Sequence, residues 1–272
     1  MDAYEAKVAR LCECLGRLPG ALVAFSGGVD STLLLRASVD VLGAQRVIAV
    51  TADSPSYPRA ERDEAIDLAA SCGVRHELLR TQELLRDGYR QNQSDRCYFC
   101  KQELFETVAS RIREQDLPDW PLLYGAILDD LSEHRPGQRA AGELGVKAPL
   151  AEAGFDKNEV RRYSRELGLP TADKPSFACL ASRVPYGTSI DAELLARVEL
   201  AEEYLRQRGF RQFRVRHHDK VARVELAAED LARAAGPERA GIVRHMKSLG
   251  YAYVALDLEG FRSGSMNETL GA

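Results

Sequence analysis

Hydrophobic and polar residues along the first part of the chain follow patterns that predict strands and helices in turn. Short apolar runs rich in β-branched residues are typical of buried strands. Such runs occur at residues 21–25, 47–52, 74–79 and 122–126. Apolar residues at helical spacing occur at residues 31–42, 59–72 and 101–113. These successive β-α units predict an α/β fold, in which a parallel sheet is covered on both faces and binds its ligand at the carboxyl ends of the strands.

The pattern changes after Ile190. Asp191 is a candidate N-cap for a helix to Arg208, and another helix is predicted near residues 237–249. Short strands are predicted at residues 213–217, 221–226 and 251–256. We therefore predict two domains: an α/β domain at residues 1–187, and a smaller α+β domain for substrate binding or oligomerisation at residues 188–272.

Composition and charge narrow the class of protein. The chain has 272 residues, of which 45% are hydrophobic, so it is long enough to bury a sizeable core. Its net charge of −4 argues against general binding to DNA or other nucleic acids. Because charged residues lie near the N-terminus we expect no signal peptide there, and no stretch is apolar enough to predict a membrane span. Six scattered cysteines do not form a disulfide scaffold, so we expect a soluble cytoplasmic protein.

A loop rich in glycine and hydroxyl residues joins the first predicted strand to the first predicted helix. Backbone N–H groups and the helix dipole attract anions at a helix N-terminus. Gly27 and Gly28 let the backbone approach a phosphate closely, and the hydroxyl groups of Ser26, Ser31 and Thr32 add donors. The loop therefore predicts a polyphosphate site, although an ordinary turn of small residues is the alternative.

The sequence S-G-G-V-D-S of residues 26–31 lacks the lysine of a Walker A loop. It resembles the pyrophosphate loop, or PP-loop, of the ATP pyrophosphatase superfamily. This resemblance implies that ATP is cleaved between its α and β phosphates to adenylate a substrate, with Asp30 near the metal and the phosphates. The ATP-binding residues that it implies are Ser26, Gly27, Gly28, Asp30, Ser31 and Thr32.

Two segments with cysteine are unlike ordinary connectors. Cys97 and Cys100 form a C-x-x-C just before a predicted helix, which can be a soft-metal site, a redox pair or chance spacing. Cys179 lies in a predicted loop at residues 174–187, where hydroxyl groups and Arg183 favour the thiolate, although an interdomain linker is the alternative. Residues 125–137 are also predicted to be a polar loop.

Arg214 and Arg216 alternate with Val215 on a predicted strand, so their side chains share one face. Two guanidinium groups on one face can bind a phosphate, although arginines on exposed strands are more often solvated.

Further motifs carry a more specific resemblance. They are the PP-loop, the Asp-Asp and Arg-Pro-Gly of residues 129–137, P-S-F-A-C-L-A-S-R-V-P-Y-G, R-V-R-H-H-D with A-R-V-E, and residues 256–267. Together they resemble the LarE family, the ATP-dependent sulfur transferases that mature the nickel-pincer nucleotide cofactor of lactate racemase. The resemblance implies that a carboxylate of pyridinium-3,5-dicarboxylate mononucleotide attacks ATP and that sulfur then displaces AMP to give a thiocarboxylate.

The resemblance also implies site residues and cofactors. Cys179 and Asp30 would be catalytic, and Mg²⁺ would offset the charge of ATP and substrate. The residues implied to bind the nucleotide substrate are Ser182, Arg183, Arg214, Arg216 and Glu225.

Sulfur supply divides the LarE family into two branches. In one branch the cysteine that matches Cys179 gives up its own sulfur once. The C-x-x-C of this chain resembles the other branch, in which Cys97, Cys100 and Cys179 would hold a [4Fe-4S] cluster that receives sulfur from sulfide or a donor protein. A zinc site completed by His134, His217 or His218 is the alternative.

Two other functions use the same features. A tRNA-thiolating enzyme would share the loop and the cluster, but the negative net charge and the lack of a basic tract disfavour it. A nucleotide or iron-sulfur sensor would bind without turnover. We also predict a homo-oligomer.

Overall fold

The computed structural model describes residues 2–132, 136–175 and 178–262. It divides the chain into two compact units, neither of which is continuous in sequence. The first unit contains Met1–Arg86 and Asp95–Phe177, and the second contains Asp87–Ser94 and Ala178–Ala272. In the sequence, the chain passes from the first unit to the second between residues 177 and 178. The functional domain boundary between residues 187 and 188 stays a prediction.

The first unit contains the parallel sheet that the β-α pattern predicts. Its strands are β1 (Ala21–Ala24), β2 (Val47–Asp53), β3 (Arg75–Arg80) and β4 (Leu122–Tyr124). They lie in the order β3-β2-β1-β4, and every neighbouring pair is parallel. The carboxyl ends of β1 and β4 are therefore neighbours at one edge of the sheet.

Helices cover both faces of this sheet. Up to residue 166, the described helices are α1 (Ala3–Gly16), α2 (Val29–Leu42), α3 (Arg59–Ser71), α4 (Asp87–Arg90), α5 (Arg96–Arg113), α6 (Leu128–Ser132), α7 (Pro136–Glu143), α8 (Pro149–Ala153) and α9 (Lys157–Glu166). Of these, α4 belongs to the second unit. Val23 of β1 belongs to the same core as Leu34 of α2, whereas the next residue back, Leu22, belongs to the core of Val108 in α5. Because successive side chains of a strand point to opposite faces, both faces of β1 are buried.

Two local predictions were wrong. Residues 125–137 are not one loop, because α6 begins at Leu128 and α7 begins at Pro136. Asp130 explains the helix, since its carboxylate accepts the backbone N–H of Ile127 at 3.0 Å, and acidic residues in a first turn also suit the helix dipole. The C-x-x-C lies inside a helix, because α5 begins at Arg96 rather than after Cys100.

The second unit combines helices with a small mixed sheet, as predicted. Its helices after residue 190 are α10 (Ala192–Gln207), α11 (Leu231–Ala235) and α12 (Arg239–Ser248), and its strands are β5 (Phe213–His218), β6 (Val221–Leu226) and β7 (Tyr253–Leu256). β6 is central, antiparallel to β5 and parallel to β7. The predicted cap is confirmed, since Asp191 accepts the Leu194 N–H at 2.7 Å. The predicted loop around Cys179 contains one 3₁₀ turn, Leu180–Arg183.

A short segment from the first half of the sequence also belongs to the second unit. Asn92 is fully buried, with φ of +52°, and donates to the carbonyl oxygens of Val184 at 3.2 Å and Pro185 at 2.8 Å. Its own carbonyl oxygen accepts the N–H of Gly187 at 3.0 Å. Residues 87–94 are therefore bonded to residues 184–187, which follow Cys179 in the chain.

The described helices include none that combines the length and the apolar character needed to cross a membrane.

Candidate active site

The connection between β1 and α2 is compact. We call it the phosphate loop, and it consists of Ser26, Gly27 and Gly28. Gly27 has φ of +63°, and a Cβ atom there would lie only 3.2 Å from the Cβ of Ala65 in α3. The hydroxyl oxygens of Ser26 and Ser31 lie 3.2 Å apart, and Ser31 donates to the carbonyl oxygen of Gly28. The loop is thus held close to the first turn of α2.

The first turn of α2 presents donors for an anion. Gly28 is the N-cap of this helix and makes no side-chain capping bond, so the backbone N–H groups at the start of the helix face the loop. Thr32 in the same turn is 1% exposed, and its hydroxyl has no hydrogen-bond partner within the described structure. Backbone donors, the positive end of the helix dipole and this hydroxyl together suit a phosphate group.

Gly125, at the end of β4, was not identified from the sequence as part of this site. A Cβ atom at this position would lie 2.9 Å from the backbone nitrogen of Ser31 and 3.1 Å from the carbonyl carbon of Asp30. Glycine therefore allows β4 to end against the first turn of α2. A lone glycine after a strand gives no signal of a partner about a hundred residues away, so the sequence could not reveal this contact.

Two lysines approach the phosphate loop from the second half of the first unit, and they too were missed. The Nζ atom of Lys157, at the start of α9, lies 2.6 and 2.7 Å from the two carboxylate oxygens of Asp30. The Nζ atom of Lys174 donates to the carbonyl oxygen of Gly27 at 3.2 Å and pairs with Glu61 at 2.8 Å. The loop therefore carries both a carboxylate and two cations, which is a suitable lining for a metal-bound polyphosphate.

The C-x-x-C lies in the first turns of α5, in the first unit. Cys97 is exposed and Cys100 is partly buried. Residues three apart on a helix share a face, and the positive end of the helix dipole favours thiolates. This arrangement can supply two thiolate ligands from one short segment.

The Cys179 loop, residues 178–182, lies in the second unit. Arg183 is completely buried beneath it, and its guanidinium group donates to the carbonyl oxygens of Ala178 and Cys179 and to the hydroxyl of Ser182. The remaining donors form a two-bond pair with Glu202 of α10, at 2.9 and 2.8 Å. Sequence reasoning gave Arg183 a role in substrate binding, whereas in this structure its guanidinium group supports the loop.

A second buried ion pair lies next to the first. Arg216 is 5% exposed and makes two bonds to Glu225, at 2.9 and 2.8 Å, and a third to the carbonyl oxygen of Ser182 at 2.9 Å. Glu225 is fully buried and also accepts from Arg223. The alternative of a solvated arginine does not apply to Arg216, because its guanidinium group is buried against the carboxylate of Glu225 on the neighbouring strand.

Arg214 has a different environment. It lies on β5 close to both buried pairs, donates to the carbonyl oxygen of Phe213, and its guanidinium carbon is 5.0 Å from the centre of the Phe261 ring. Burial, with the positive charge of Arg183 as the next cause, lowers the pKa of Arg214 to about 10. Burial and a like-charged neighbour both raise the free energy of the charged guanidinium group, so an anion that binds beside it stabilises it.

The described part of the chain contains no group of three His, Cys, Asp or Glu side chains that could hold a metal ion. Cys97 and Cys100 belong to the first unit and Cys179 to the second. Of the histidines considered as zinc ligands, His134 lies outside the described residues, whereas His217 is buried with its Nδ1 atom 3.3 Å from the Tyr251 hydroxyl. Parts of the motifs at residues 129–137 and 256–267 also lie outside the described residues.

Comparison with known proteins finds NAD synthases similar to the part of the chain that contains the phosphate loop. A family model described as NAD synthase matches residues 15–117. An NH(3)-dependent NAD(+) synthetase of Methanococcoides burtonii is 27% identical over 56% of this chain and 59% of its own. An uncharacterized protein of Synechocystis is 43% identical over 98% of both chains.

The relative that decides the family is from Lactiplantibacillus plantarum. It is described as pyridinium-3,5-bisthiocarboxylic acid mononucleotide synthase and is 38% identical over 99% of this chain and 97% of its own. The chain belongs to the LarE family. LarE proteins are ATP-dependent, adenylating sulfurtransferases with a PP-loop, and this chain is an enzyme of that class. The resemblance in the sequence motifs is thereby confirmed.

We predict that Gly125→Ala disrupts ATP use by this LarE enzyme. The added methyl group must push β4 away from the first turn of α2, and a displacement of about 1 Å at a reaction site can cost roughly a hundredfold in rate. Pyrophosphate release should fall at least about tenfold.

Gly142→Ala in α7 is the matched control, because a Cβ atom there has no neighbour within 4 Å among the described atoms. It should release pyrophosphate as the unsubstituted enzyme does. Equal rates for the two variants would contradict a role for the contact between Gly125 and Ser31.

Proposed function

We propose that this LarE enzyme uses ATP to adenylate a carboxylate of pyridinium-3,5-dicarboxylate mononucleotide and then replaces AMP with sulfur, giving a thiocarboxylate. The observation that carries the proposal is the phosphate loop with the first turn of α2, where Gly27 has positive φ and the Thr32 hydroxyl has no partner among the described atoms. The full-length similarity to the Lactiplantibacillus plantarum synthase supports the choice of substrate.

Adenylation solves a chemical problem. A carboxylate oxygen is a poor leaving group, whereas AMP leaves readily once the carboxylate oxygen has displaced pyrophosphate from the α-phosphorus of ATP. In the proposed reaction Ser26, Gly28 and Ser31 hold the pyrophosphate, and Lys157 and Lys174 lie near enough to offset its charge. Asp30 is the residue that would hold Mg²⁺ here, where the ion would offset the charge of the phosphates, and Lys157, which now pairs with Asp30, would be available to a phosphate oxygen.

The first test of this function is Gly28→Val. A Cβ atom at residue 28 would meet only the Ser26 hydroxyl oxygen, at 3.5 Å, which is an ordinary contact. The variant should therefore fold and melt as the unsubstituted protein does, while its side chain fills the space that a phosphate needs. Pyrophosphate release with the pyridinium substrate should be lost, and ADP with orthophosphate as the products of the unsubstituted enzyme would contradict the proposal.

We propose that Arg214 binds the phosphate of the nucleotide substrate, together with Ser182. Arg183 and Arg216 each hold a buried carboxylate, so we assign them mainly to the support of this site. The lowered pKa of Arg214 supports the assignment, because the attraction between a guanidinium group and a phosphate is strongest where water solvates the guanidinium group poorly. Glu225 contributes by orienting Arg216.

Arg214→Ala should weaken binding of the pyridinium substrate by at least about 2 kcal/mol, roughly thirtyfold, because a hydrogen-bonded charge contact is lost. Binding can be measured by calorimetry in the presence of a non-hydrolysable ATP analogue. Arg211→Ala, which changes an exposed arginine just before β5, should bind as the unsubstituted protein does. Unchanged affinity for Arg214→Ala would reject the assignment.

We propose, further, that Cys97, Cys100 and Cys179 hold a [4Fe-4S] cluster. The donor set fits in part, since Cys97 and Cys100 share one face at the positive end of α5. When bound, such a cluster supplies an iron that no protein thiolate holds and that can accept sulfur from sulfide or a donor protein.

Anaerobically purified protein should be brown and contain about four irons per chain. Serine at Cys97, Cys100 or Cys179 should remove the colour and most of the iron, whereas Cys72→Ser should remove neither. Iron-free protein that loses one sulfur and two hydrogens from Cys179 during a single turnover would contradict the cluster and would indicate sacrificial transfer.

A further inference from the structure

The buried ion pair between Arg183 and Glu202 connects three elements of the second unit. Glu202 lies on α10, is 4% exposed and receives two bonds from the guanidinium group of Arg183. Its Oε1 atom also accepts the backbone N–H of Val215 in β5 at 3.0 Å. One carboxylate therefore fixes the guanidinium group with respect to both a helix and a strand.

The far side of the same guanidinium group faces the Cys179 loop. The Nη1 atom of Arg183 donates to the carbonyl oxygens of Ala178 and Cys179 and to the hydroxyl of Ser182. A planar guanidinium group has donors in fixed directions, so a carboxylate that fixes one edge determines where the other edge points. The orientation of the Cys179 backbone is thereby tied to Glu202.

We propose that Glu202 is a positioning residue for sulfur transfer, acting through Arg183 to hold the backbone of Cys179 in its reactive orientation. This inference rests on the proposed function in one respect, namely that Cys179 takes part in the transfer. Glu202 itself touches neither substrate nor sulfur in this scheme.

The energetics of buried charge support a positioning role over a purely stabilising one. Two charges lose their hydration when they are buried, and replacing such a pair with apolar residues of similar volume is often neutral or stabilising. Packing alone would therefore be served as well by two apolar side chains. Apolar residues cannot donate to the carbonyl oxygens of Ala178 and Cys179, whereas Arg183 does.

A second anchor holds the other end of the loop. Arg216 donates to the carbonyl oxygen of Ser182 while its own orientation is set by Glu225. Both ends of the Cys179 loop are thus held by arginines that are aligned by buried glutamates.

The test compares three variants of the full-length protein. Glu202→Gln keeps the size of the side chain and an acceptor for the Val215 N–H but removes the charge that aligns Arg183. The double variant Arg183→Met with Glu202→Leu removes both charges together, so no uncompensated charge is left; the protein should stay folded, with only a modest fall in melting temperature because the Val215 N–H loses its acceptor. Glu203→Gln is the control, because this adjacent residue of α10 makes a partly exposed pair with Arg206.

Two readouts are needed. The first is the rate at which iodoacetamide alkylates Cys179 in cluster-free protein, measured by peptide mass spectrometry against Cys12 and Cys72 of the same sample. The second is a single turnover of sulfur transfer at saturating substrate, with the substrate Kd measured separately.

Both Glu202→Gln and the double variant should alkylate at Cys179 at least about fivefold faster, because the loop opens more often. Both should transfer sulfur about a hundredfold more slowly with an unchanged Kd, and Glu203→Gln should behave as the unsubstituted protein in both readouts. This split between rate and affinity, in folded protein, separates positioning from a loss of structure.

The opposite results overturn the inference. They are a wild-type transfer rate in Glu202→Gln, slow transfer without faster alkylation, or a double variant that melts far below the unsubstituted protein. Failure of the proposed function would look different, since the unsubstituted enzyme would then transfer no sulfur, or would transfer it equally well after Cys179→Ser.

Discussion

Lack of space around the first turn of α2 is the constraint on which the nucleotide site depends. Gly27 packs against Ala65, and Gly125 brings the end of β4 against the backbone of Ser31. A side chain at either glycine would push a neighbouring element away from the helix N-terminus. The donors of this turn are therefore positioned by backbone packing before any ligand arrives, which is the condition under which fixed dipoles stabilise charge most effectively.

The two units of the chain use charge in opposite ways. Around the phosphate loop Asp30 and Lys157 are both partly exposed, with side-chain exposures of 26% and 39%, so their partners can be exchanged at little cost. In the second unit Arg183 and Glu202 are buried, with side-chain exposures of 0% and 6%. Separating that pair would leave charge without compensation in a medium of low polarity. The first arrangement suits a ligand that comes and goes, and the second suits a fixed framework.

Much of the fold followed from local patterns. Strand periodicity, the Asp191 cap and the positive φ of Gly27 depend on neighbours in sequence, and each was predicted correctly, whereas Gly28, from which positive φ was also expected, has φ of −79°. The partners of Arg183, Arg216 and Asp30 could not be predicted, because each pairing depends on register or on contact between distant segments. Sequence alone shows that an arginine is present on a strand, but not that a glutamate faces it across the ladder. For this reason the resemblance identified the chemistry, while the supporting residues emerged only from the structure.

The place of Asn92 has a consequence for how the protein is made. Residues 87–94 leave the ribosome some ninety residues before Val184 and Pro185, the carbonyl partners that Asn92 needs. During synthesis residues 87–94 cannot take their final place until those partners are made, whereas the elements of the parallel-sheet unit that flank them in the sequence can already assemble. Such a distant contact slows folding, because the chain loses entropy when the long loop closes, before the contact can form. The second unit can therefore be completed only late in translation, and chaperone dependence should be greatest in that interval.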